Sequence, residues 1–229
     1  MFDSQGPTLF ELARQALSST ERGYDLLAPK FDHTPFRTPD FVVDAVGRLL
    51  AAGPAPRHGL DLCCGTGAVA EMLRGVCSEL VVGLDISSGM LDVAKQRLSS
   101  ADIRWVRADA MTAPFGPEFD VVVCLGALGH VLAADQPRFI AEVARMLRPG
   151  GRFVFVTSYP PGPASAGFWF AHGFNAAMRL RNAALKPPFV MYYLTFLLPE
   201  VRHQLEEAGF AVEEEPLGRL RIVTASLVR

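Results

Sequence analysis

Short apolar runs alternate with segments of helical periodicity along the middle of this chain, and this alternation constrains the fold most. The apolar runs cover residues 59–63, 80–84, 103–106, 119–125 and 152–157. The helical segments between most of them cover residues 69–76, 90–98 and 137–147. Strands that alternate with helices form crossover units, which build a parallel sheet. Near-continuous apolar strands, such as residues 121–123, indicate a sheet that is covered on both faces.

The two ends of the chain do not continue this alternation. Helices are expected at residues 8–17, 39–52 and 199–208, and strands at residues 210–214 and 220–228. Gly209 ends the last helix, and the short turn at residues 216–218 requires its two strands to pair as an antiparallel hairpin. The sequence therefore predicts a single α/β domain over residues 1–229, with an N-terminal helical arm over residues 1–38.

Composition excludes several classes of protein. Half of the 229 residues are apolar, which provides a sizeable core and argues against disorder. The net charge of −2 argues against a dedicated nucleic-acid binder. None of the four cysteines has CxxC spacing, so neither a metal site nor a disulfide framework is predicted. Residues 1–4 lack the basic and apolar pattern of a secretory signal, and we expect a reducing, cytoplasmic setting.

Residues 158–198 interrupt the alternation and form a predicted cap insertion. This segment holds nine aromatic residues, and residues 143–199 contain six basic residues but no Asp or Glu. We consider three interpretations: an aromatic-lined helical cap over a lipophilic or aromatic acceptor, a purely structural cap, and a membrane-surface patch. Residues 153–178 lack charged side chains, but prolines and glycines near the middle predict a strand followed by a loop rather than a membrane span.

A glycine loop follows the first predicted strand. Gly65 and Gly67 allow a tight turn and a close approach to a ligand, and the helix that follows offers unpaired N–H groups. Asp85 ends the second strand, where a carboxylate can bind both hydroxyls of a ribose. This pattern also matches the dinucleotide fingerprint, so a nicotinamide-dependent oxidoreductase is the rival interpretation.

Three features favour a ligand without phosphate. Asp61 lies in the mouth of the loop, where it would repel a pyrophosphate but suits an ammonium group. Asp109 ends the third strand and is placed to accept from an adenine amine, while the Ala110 N–H donates to the ring. The antiparallel hairpin follows an otherwise parallel sheet. A ligand with an ammonium, a ribose diol and an adenine, but no phosphate, is S-adenosylmethionine.

These motifs resemble the class I S-adenosylmethionine-dependent methyltransferases, particularly the small-molecule group. The matching segments are residues 60–67, 83–91, 108–110, 119–122 and 147–151. The resemblance is strong over residues 40–157 and looser in the hairpin. It implies a Rossmann-like, mostly parallel seven-stranded sheet with helices on both faces. The sequence departs from the family pattern at Cys63, where the family usually has glycine. A side chain at this position narrows the space beside the methionine part of the cofactor.

The resemblance also implies roles for individual residues. Asp61 would orient the ammonium, Asp85 the ribose, and Asp109 the adenine edge. The other implied cofactor contacts are Tyr24 at the carboxylate end, Cys63 at the amino-acid end, Gly65 and Gly67 beside the methionine and ribose, Ile86 and Met90 on the adenine face, Ala110 at the ring, and Leu125 and Gly126 near the methyl group. Tyr24-Asp25 and Phe31-Asp32 resemble the aromatic–acid segment that closes over the cofactor in such enzymes.

One histidine lies close to the expected site of methyl transfer. His130 follows the fourth strand, and its functional interpretation is a general base for a hydroxyl or an acidic carbon. The plainer interpretation is a loop residue that fills space or binds a carbonyl group. A third function for the whole chain, an S-adenosylmethionine-binding protein without turnover, is disfavoured because the loop glycines and all three acids are present. We therefore expect an enzyme that moves a methyl group from S-adenosylmethionine to a small, lipophilic or aromatic acceptor by in-line displacement. The identity of the acceptor and the oligomeric state are not predicted.

Overall fold

The computed structural model describes residues 5–228, so the predictions for residues 1–4 lie outside the described residues. Its strands are β1 His58–Leu62, β2 Leu80–Asp85, β3 Arg104–Arg107, β4 Phe119–Cys124, β5 Leu147–Thr157, β6 Phe210–Leu217 and β7 Leu220–Leu227. Its α-helices are α1 Leu9–Ala16, α2 Thr20–Leu27, α3 Asp40–Ala51, α4 Ala68–Val76, α5 Ser88–Arg97, α6 Gln136–Met146, α7 Ala166–Ala184 and α8 Glu200–Glu207.

All seven strands form one sheet in the order β3-β2-β1-β4-β5-β7-β6. Strands β1 to β5 are parallel, while β7 runs antiparallel to both β5 and β6. The predicted mostly parallel sheet and C-terminal hairpin are therefore confirmed. The chain reverses its order of strands between β1 and β4, and the carboxyl ends of parallel strands at such a point form a ligand crevice.

Both faces of the sheet are buried, as the apolar strands predict. In β4, Val121 and Val123 pack with α3 and α4 on one face. Val122 and Cys124 point to the opposite face, where Phe139 of α6 contributes to a second core. This division follows from the two-residue period of a strand. Helices on both faces thus hold the strand ends in fixed positions relative to one another.

Three elements differ from the sequence-based expectations. Residues 166–178 belong to helix α7 rather than to a loop, because the prolines cluster before its N-cap residue, Ser165. The hairpin turns at residues 218–219 instead of 216–218, since Pro216 lies in the edge strand β6 and needs no ladder partner for its nitrogen. Leu147 already pairs with Phe119, so β5 begins five residues before the apolar run at residues 152–157.

The N-terminal arm contains more structure than the periodicity predicted. Helix α2 and the 3₁₀ helix Ala28–His33 were not expected, whereas α1 and α3 confirm two predicted helices. Thr8 and Glu11 form a capping box at the start of α1, a local signal for that helix. Within residues 5–228, none of the helices combines the length and the apolar character needed to cross a bilayer.

Candidate active site

A cavity of about 490 Å³ opens at the carboxyl ends of the parallel strands. Eleven of the twelve predicted cofactor residues line it: Tyr24, Asp61, Cys63, Gly65, Asp85, Ile86, Met90, Asp109, Ala110, Leu125 and Gly126. His130 lines it as well. Gly67 does not, so the structure separates the two glycines of the loop. Tyr24 and His130, which are 106 positions apart in the sequence, thus share one site at the strand ends.

Gly65 and Gly67 serve different purposes. Both have positive φ angles, of 52° and 85°, which favour glycine. A methyl group on Gly65 would meet nothing within 4 Å, so its backbone faces open space in the cavity. A methyl group on Gly67 would lie 2.9 Å from the Trp105 ring. Gly67 is therefore required for packing between the loop and the sheet, rather than for contact with a ligand.

Cys63 also has a positive φ angle, of 63°, which is unusual for a residue with a side chain. The Cys63 thiol forms a hydrogen bond with the Cys124 thiol. This bond, together with burial, raises the pKa of the Cys63 thiol well above its usual range. Burial raises the pKa of the Cys64 thiol in the same way. Both cysteines are consequently neutral thiols rather than nucleophilic thiolates.

Asp61 completes the N-terminus of helix α4. The N-cap residue of α4 is Gly67, which has no side chain, so Asp61 Oδ2 accepts from the Ala70 N–H at 2.7 Å. Burial raises the pKa of Asp61 to about 8, and the nearby charge of Asp85 adds to this shift. No lysine or arginine within residues 5–228 forms an ion pair with Asp61. The site therefore places a buried carboxyl group against the cavity, with a backbone N–H but no ion-pair partner in the described residues.

Asp85 joins the glycine loop to the start of α5. Its Oδ2 accepts from the Gly65 N–H at 2.8 Å, and its Oδ1 accepts from the Ser87 N–H at 2.9 Å. Burial raises the pKa of Asp85, although these backbone N–H groups oppose the shift. Each carboxylate oxygen retains a second lone pair that can accept from a ligand hydroxyl. Asp109 is exposed and accepts from the Met111 N–H at 2.9 Å.

The N-terminal arm closes one side of the cavity through two aspartates. Asp25 Oδ1 accepts from the Ser87 hydroxyl at 2.6 Å and from the Gly89 N–H at 2.9 Å. Asp32 Oδ1 accepts from the Thr66 hydroxyl at 2.6 Å. These contacts position Tyr24 and the remainder of the arm above the strand ends.

His130 has a partner on each ring nitrogen. Its Nε2 lies 2.8 Å from the Tyr24 hydroxyl, and its Nδ1 contacts the Val190 carbonyl oxygen. A carbonyl oxygen can only accept, so Nδ1 carries the proton and Nε2 accepts from Tyr24. Burial lowers the pKa of His130 and raises the pKa of Tyr24, which keeps both groups neutral. Tyr24 was expected at the carboxylate end of a cofactor, and in this structure its hydroxyl contacts His130.

Sequence reasoning did not identify several residues of the site. Val190 comes from the cap insertion, and Thr38 lies so close to Gly126 that a side chain there would meet its hydroxyl at 2.8 Å. Arg37 and Arg138 also line the cavity. No local pattern marks these positions, because each reaches the site through a long-range contact.

Comparisons with known proteins agree with this geometry. Residues 60–155 match the methyltransferase domain family. The chain is 35% identical over 182 residues to a demethylmenaquinone methyltransferase of Thermus thermophilus, with 73% of this chain and 80% of the relative covered. An O-methyltransferase family protein of Burkholderia thailandensis superposes with a TM-score of 0.70 at 21% identity, covering 97% of this chain and 64% of that one.

A second solved structure superposes over nearly all of both chains. It is the magnesium protoporphyrin IX methyltransferase of Synechocystis with bound S-adenosylhomocysteine, with a TM-score of 0.62, 20% identity, and coverage of 95% and 93%. The chain therefore belongs to the class I S-adenosylmethionine-dependent methyltransferases. It is an enzyme, and S-adenosylmethionine is its cofactor. Family membership thus decides against the nicotinamide-dependent oxidoreductase and against a protein without turnover.

The residues present fit this cofactor. S-adenosylmethionine carries a sulfonium and an ammonium group but no phosphate. Asp61 and Asp85 border the cavity with raised pKa values, and neither forms an ion pair within the described part of the chain. A cationic ligand would stabilise their charged forms, whereas a pyrophosphate would be repelled.

Proposed function

We propose that this enzyme methylates a small, flat, lipophilic acceptor and that His130 receives the proton which the acceptor loses. The observation that carries the proposal is the neutral His130, held by the Val190 carbonyl with Nε2 turned toward Tyr24 and the cavity. The relatives support a lipophilic acceptor, because they are named for a quinone and for a porphyrin. The cavity walls agree, since Phe31, Phe36 and Phe139 are among the lining residues.

The proposed cofactor contacts follow the strand ends. Asp85 binds the ribose hydroxyls, Asp61 the ammonium group, and Asp109 with the Ala110 N–H the adenine edge. The remaining proposed contacts are Ile86 and Met90 on the adenine face, the backbone of Cys63 and Gly65 along the methionine part, and Leu125 and Gly126 near the methyl group. Gly67 supports this arrangement through packing, and contact of Tyr24 with the carboxylate end stays a prediction.

When bound, S-adenosylmethionine supplies an activated methyl group for an in-line displacement. The chain's own residues then have three tasks: orientation, exclusion of water and removal of a proton. Tyr24 donates to His130 at 2.8 Å, so the proton of the acceptor can pass to the Tyr24 oxygen while the Tyr24 proton passes to Nε2. The Val190 carbonyl stabilises the imidazolium that results. The arm excludes water through the contacts of Asp25 and Asp32.

We further propose that residues 1–229 act as one domain in the cytoplasm, with residues 1–38 as the arm and residues 158–198 as the cap. The cap packs Phe189 against the active-site residue Tyr24, and the two rings stack with 6.3 Å between ring centroids. Phe189 also meets the His130 ring edge-on at 6.5 Å. The cap therefore supports the proposed base from two sides, in addition to the Val190 carbonyl.

The test is single-turnover methyl transfer to a panel of naphthoquinols, phenols and alkyl amines. His130→Asn should slow transfer to the hydroxyl acceptors by about 10²- to 10⁴-fold, which is the usual contribution of general base catalysis. S-adenosylhomocysteine affinity, measured by calorimetry, should not change. His172→Asn is the matched control, because this exposed histidine contacts the Phe168 carbonyl of its own helix, α7. Undiminished transfer by a folded His130→Asn variant would contradict the proposed base.

A further inference from the structure

Helix α7 presents an apolar face to solvent. Of its nineteen residues, Ala171 and Asn175 are the ones that are buried. Trp169 is 68% exposed and Leu180 is 73% exposed. At 100° per residue, Trp169, Ala176 and Leu180 fall within about 40° of one another around the helix. A surface helix ordinarily turns such a stripe toward the core, whereas α7 turns it outward.

The end of helix α1 lies beside the end of α7. Arg181 donates to the carbonyls of Ala16, Ser18 and Pro187 at 2.7–2.9 Å, which joins the end of α1 to the end of α7. On α1, Leu9 is 81% and Phe10 is 77% exposed. We define the α1–α7 surface as the exposed apolar side chains of both helices with the cations beside them: Leu9, Phe10, Leu17, Trp169, Leu180, Arg14, Arg22, Arg179 and Lys186.

The cations of the α1–α7 surface have no ion-pair partner in the part of the chain that the structure describes. Arg14, Arg22, Arg179 and Lys186 form no ion pair with any residue between 5 and 228. Residues 143–199 contain no carboxylate at all. Glu11 lies on α1, but Lys30 holds it at 2.8 Å and lowers its pKa to about 2. The surface is therefore apolar and positively charged.

We propose that the α1–α7 surface docks this enzyme onto an anionic lipid bilayer. The apolar side chains would enter the headgroup boundary, and the four cations would face lipid phosphates. Trp169 is the side chain type that prefers this interface. A second copy of the chain suits the surface less well, because a two-fold dimer through it would place the same four cations against each other.

This inference rests on the proposed function in one respect, since a lipophilic acceptor gives the docking its purpose. The α1–α7 surface also lies beside the active site. Ser19 borders the groove that Phe10, Leu17 and Pro187 line, and the next residue, Thr20, lines the catalytic cavity. The Thr20 hydroxyl accepts from the Val190 N–H at 2.9 Å. An acceptor dissolved in the bilayer would thus reach His130 from the docked side.

The test is flotation of the full chain with vesicles that contain no acceptor. Vesicles of phosphatidylglycerol and phosphatidylcholine should bind the protein at least about tenfold more tightly than phosphatidylcholine alone, because each surface cation gains from the anionic headgroups. Trp169→Glu combined with Leu180→Glu should weaken this binding at least about tenfold. Arg179→Glu combined with Lys186→Glu should weaken it similarly. Phe41→Glu is the matched control, because Phe41 is 56% exposed on α3, outside the α1–α7 surface.

Three results would overturn the proposal. The first is that the protein does not float with anionic vesicles. The second is that the control variant loses as much vesicle binding as the α1–α7 variants. The third is that light scattering shows a dimer, which Leu180→Glu converts to a monomer. S-adenosylhomocysteine calorimetry verifies that each variant is folded. Methyl transfer to a water-soluble phenol, measured without vesicles, tests the proposed function separately, so failure of docking and failure of catalysis can be told apart.

Discussion

Two regions of this molecule surround one cavity, and they are built in opposite ways. The sheet region, residues 58–157, buries its apolar side chains on both faces and presents acids at its strand ends. The arm and the cap, residues 5–38 and 158–198, carry ten of the fourteen large apolar side chains that are exposed within residues 5–228. Under the functions proposed above, the sheet region supplies the cofactor site, whereas the arm and the cap supply the acceptor side and an interaction surface.

The packing of the glycine loop gives the largest expected effect on stability. Gly67→Ala should lower the free energy of unfolding by about 2–4 kcal/mol, because it combines a positive φ angle with a clash at Trp105. Urea denaturation measures this change. Gly173→Ala is the control in the cap helix α7, where a methyl group meets nothing within 4 Å, and it should stabilise the protein by about 0.5–1 kcal/mol. Equal changes in the free energy of unfolding at Gly67 and Gly173 would contradict the conclusion that Gly67 is required for packing.

Cofactor affinity should depend on the sheet region more than on the arm. Asp85→Asn should weaken S-adenosylhomocysteine binding by about 1–3 kcal/mol, because it removes charge-assisted hydrogen bonds to the ribose and disturbs the Gly65 N–H contact. Calorimetry measures the affinity. Asp92→Asn, an exposed position on α5, should leave it unchanged. A folded Asp85→Asn variant that binds as tightly as the wild type would refute the ribose assignment.

Asp61 should make cofactor binding depend on pH. Its pKa of about 8 lies far above the usual value of 3.8, so the folded protein holds a proton that the unfolded chain has released. The contribution of Asp61 to the free energy of unfolding is therefore fully present below pH 3.8, and it is lost as the pH rises through about 8. Binding of an ammonium group favours the carboxylate, so proton release should accompany S-adenosylhomocysteine binding near pH 7. Calorimetry in buffers of different ionisation enthalpy measures the release, and Asp61→Asn should remove most of it.

The smallest effect should come from the arm. Tyr24→Phe keeps the ring stacked on Phe189 but removes the hydroxyl that contacts His130. We expect transfer to a phenol to slow by about tenfold, because His130 Nε2 is then left to take the proton without the Tyr24 hydroxyl between them. A loss of S-adenosylhomocysteine affinity in the same variant would measure the predicted contact of Tyr24 with the carboxylate end. The acid limb of the pH–rate profile should lie below pH 6.5, because burial lowers the pKa of His130 and the base stays neutral in weak acid. An acid limb above pH 6.5 would contradict the assignment of that limb to His130.

The sequence by itself determined the sheet, the hairpin and the acids at the strand ends. Gly65, Asp85 and Asp109 follow strands whose apolar pattern is local, so their position at one edge can be derived without coordinates. Only the tertiary structure decided which glycine faces the cavity, that Tyr24 contacts His130, and that Val190 fixes the tautomer. Those contacts join residues 38 to 106 positions apart, and no local periodicity specifies them. The sequence also predicted a helical cap within residues 158–198, but the bounds of α7 came from the tertiary structure, because most of its side chains are exposed and no buried stripe marks the helix.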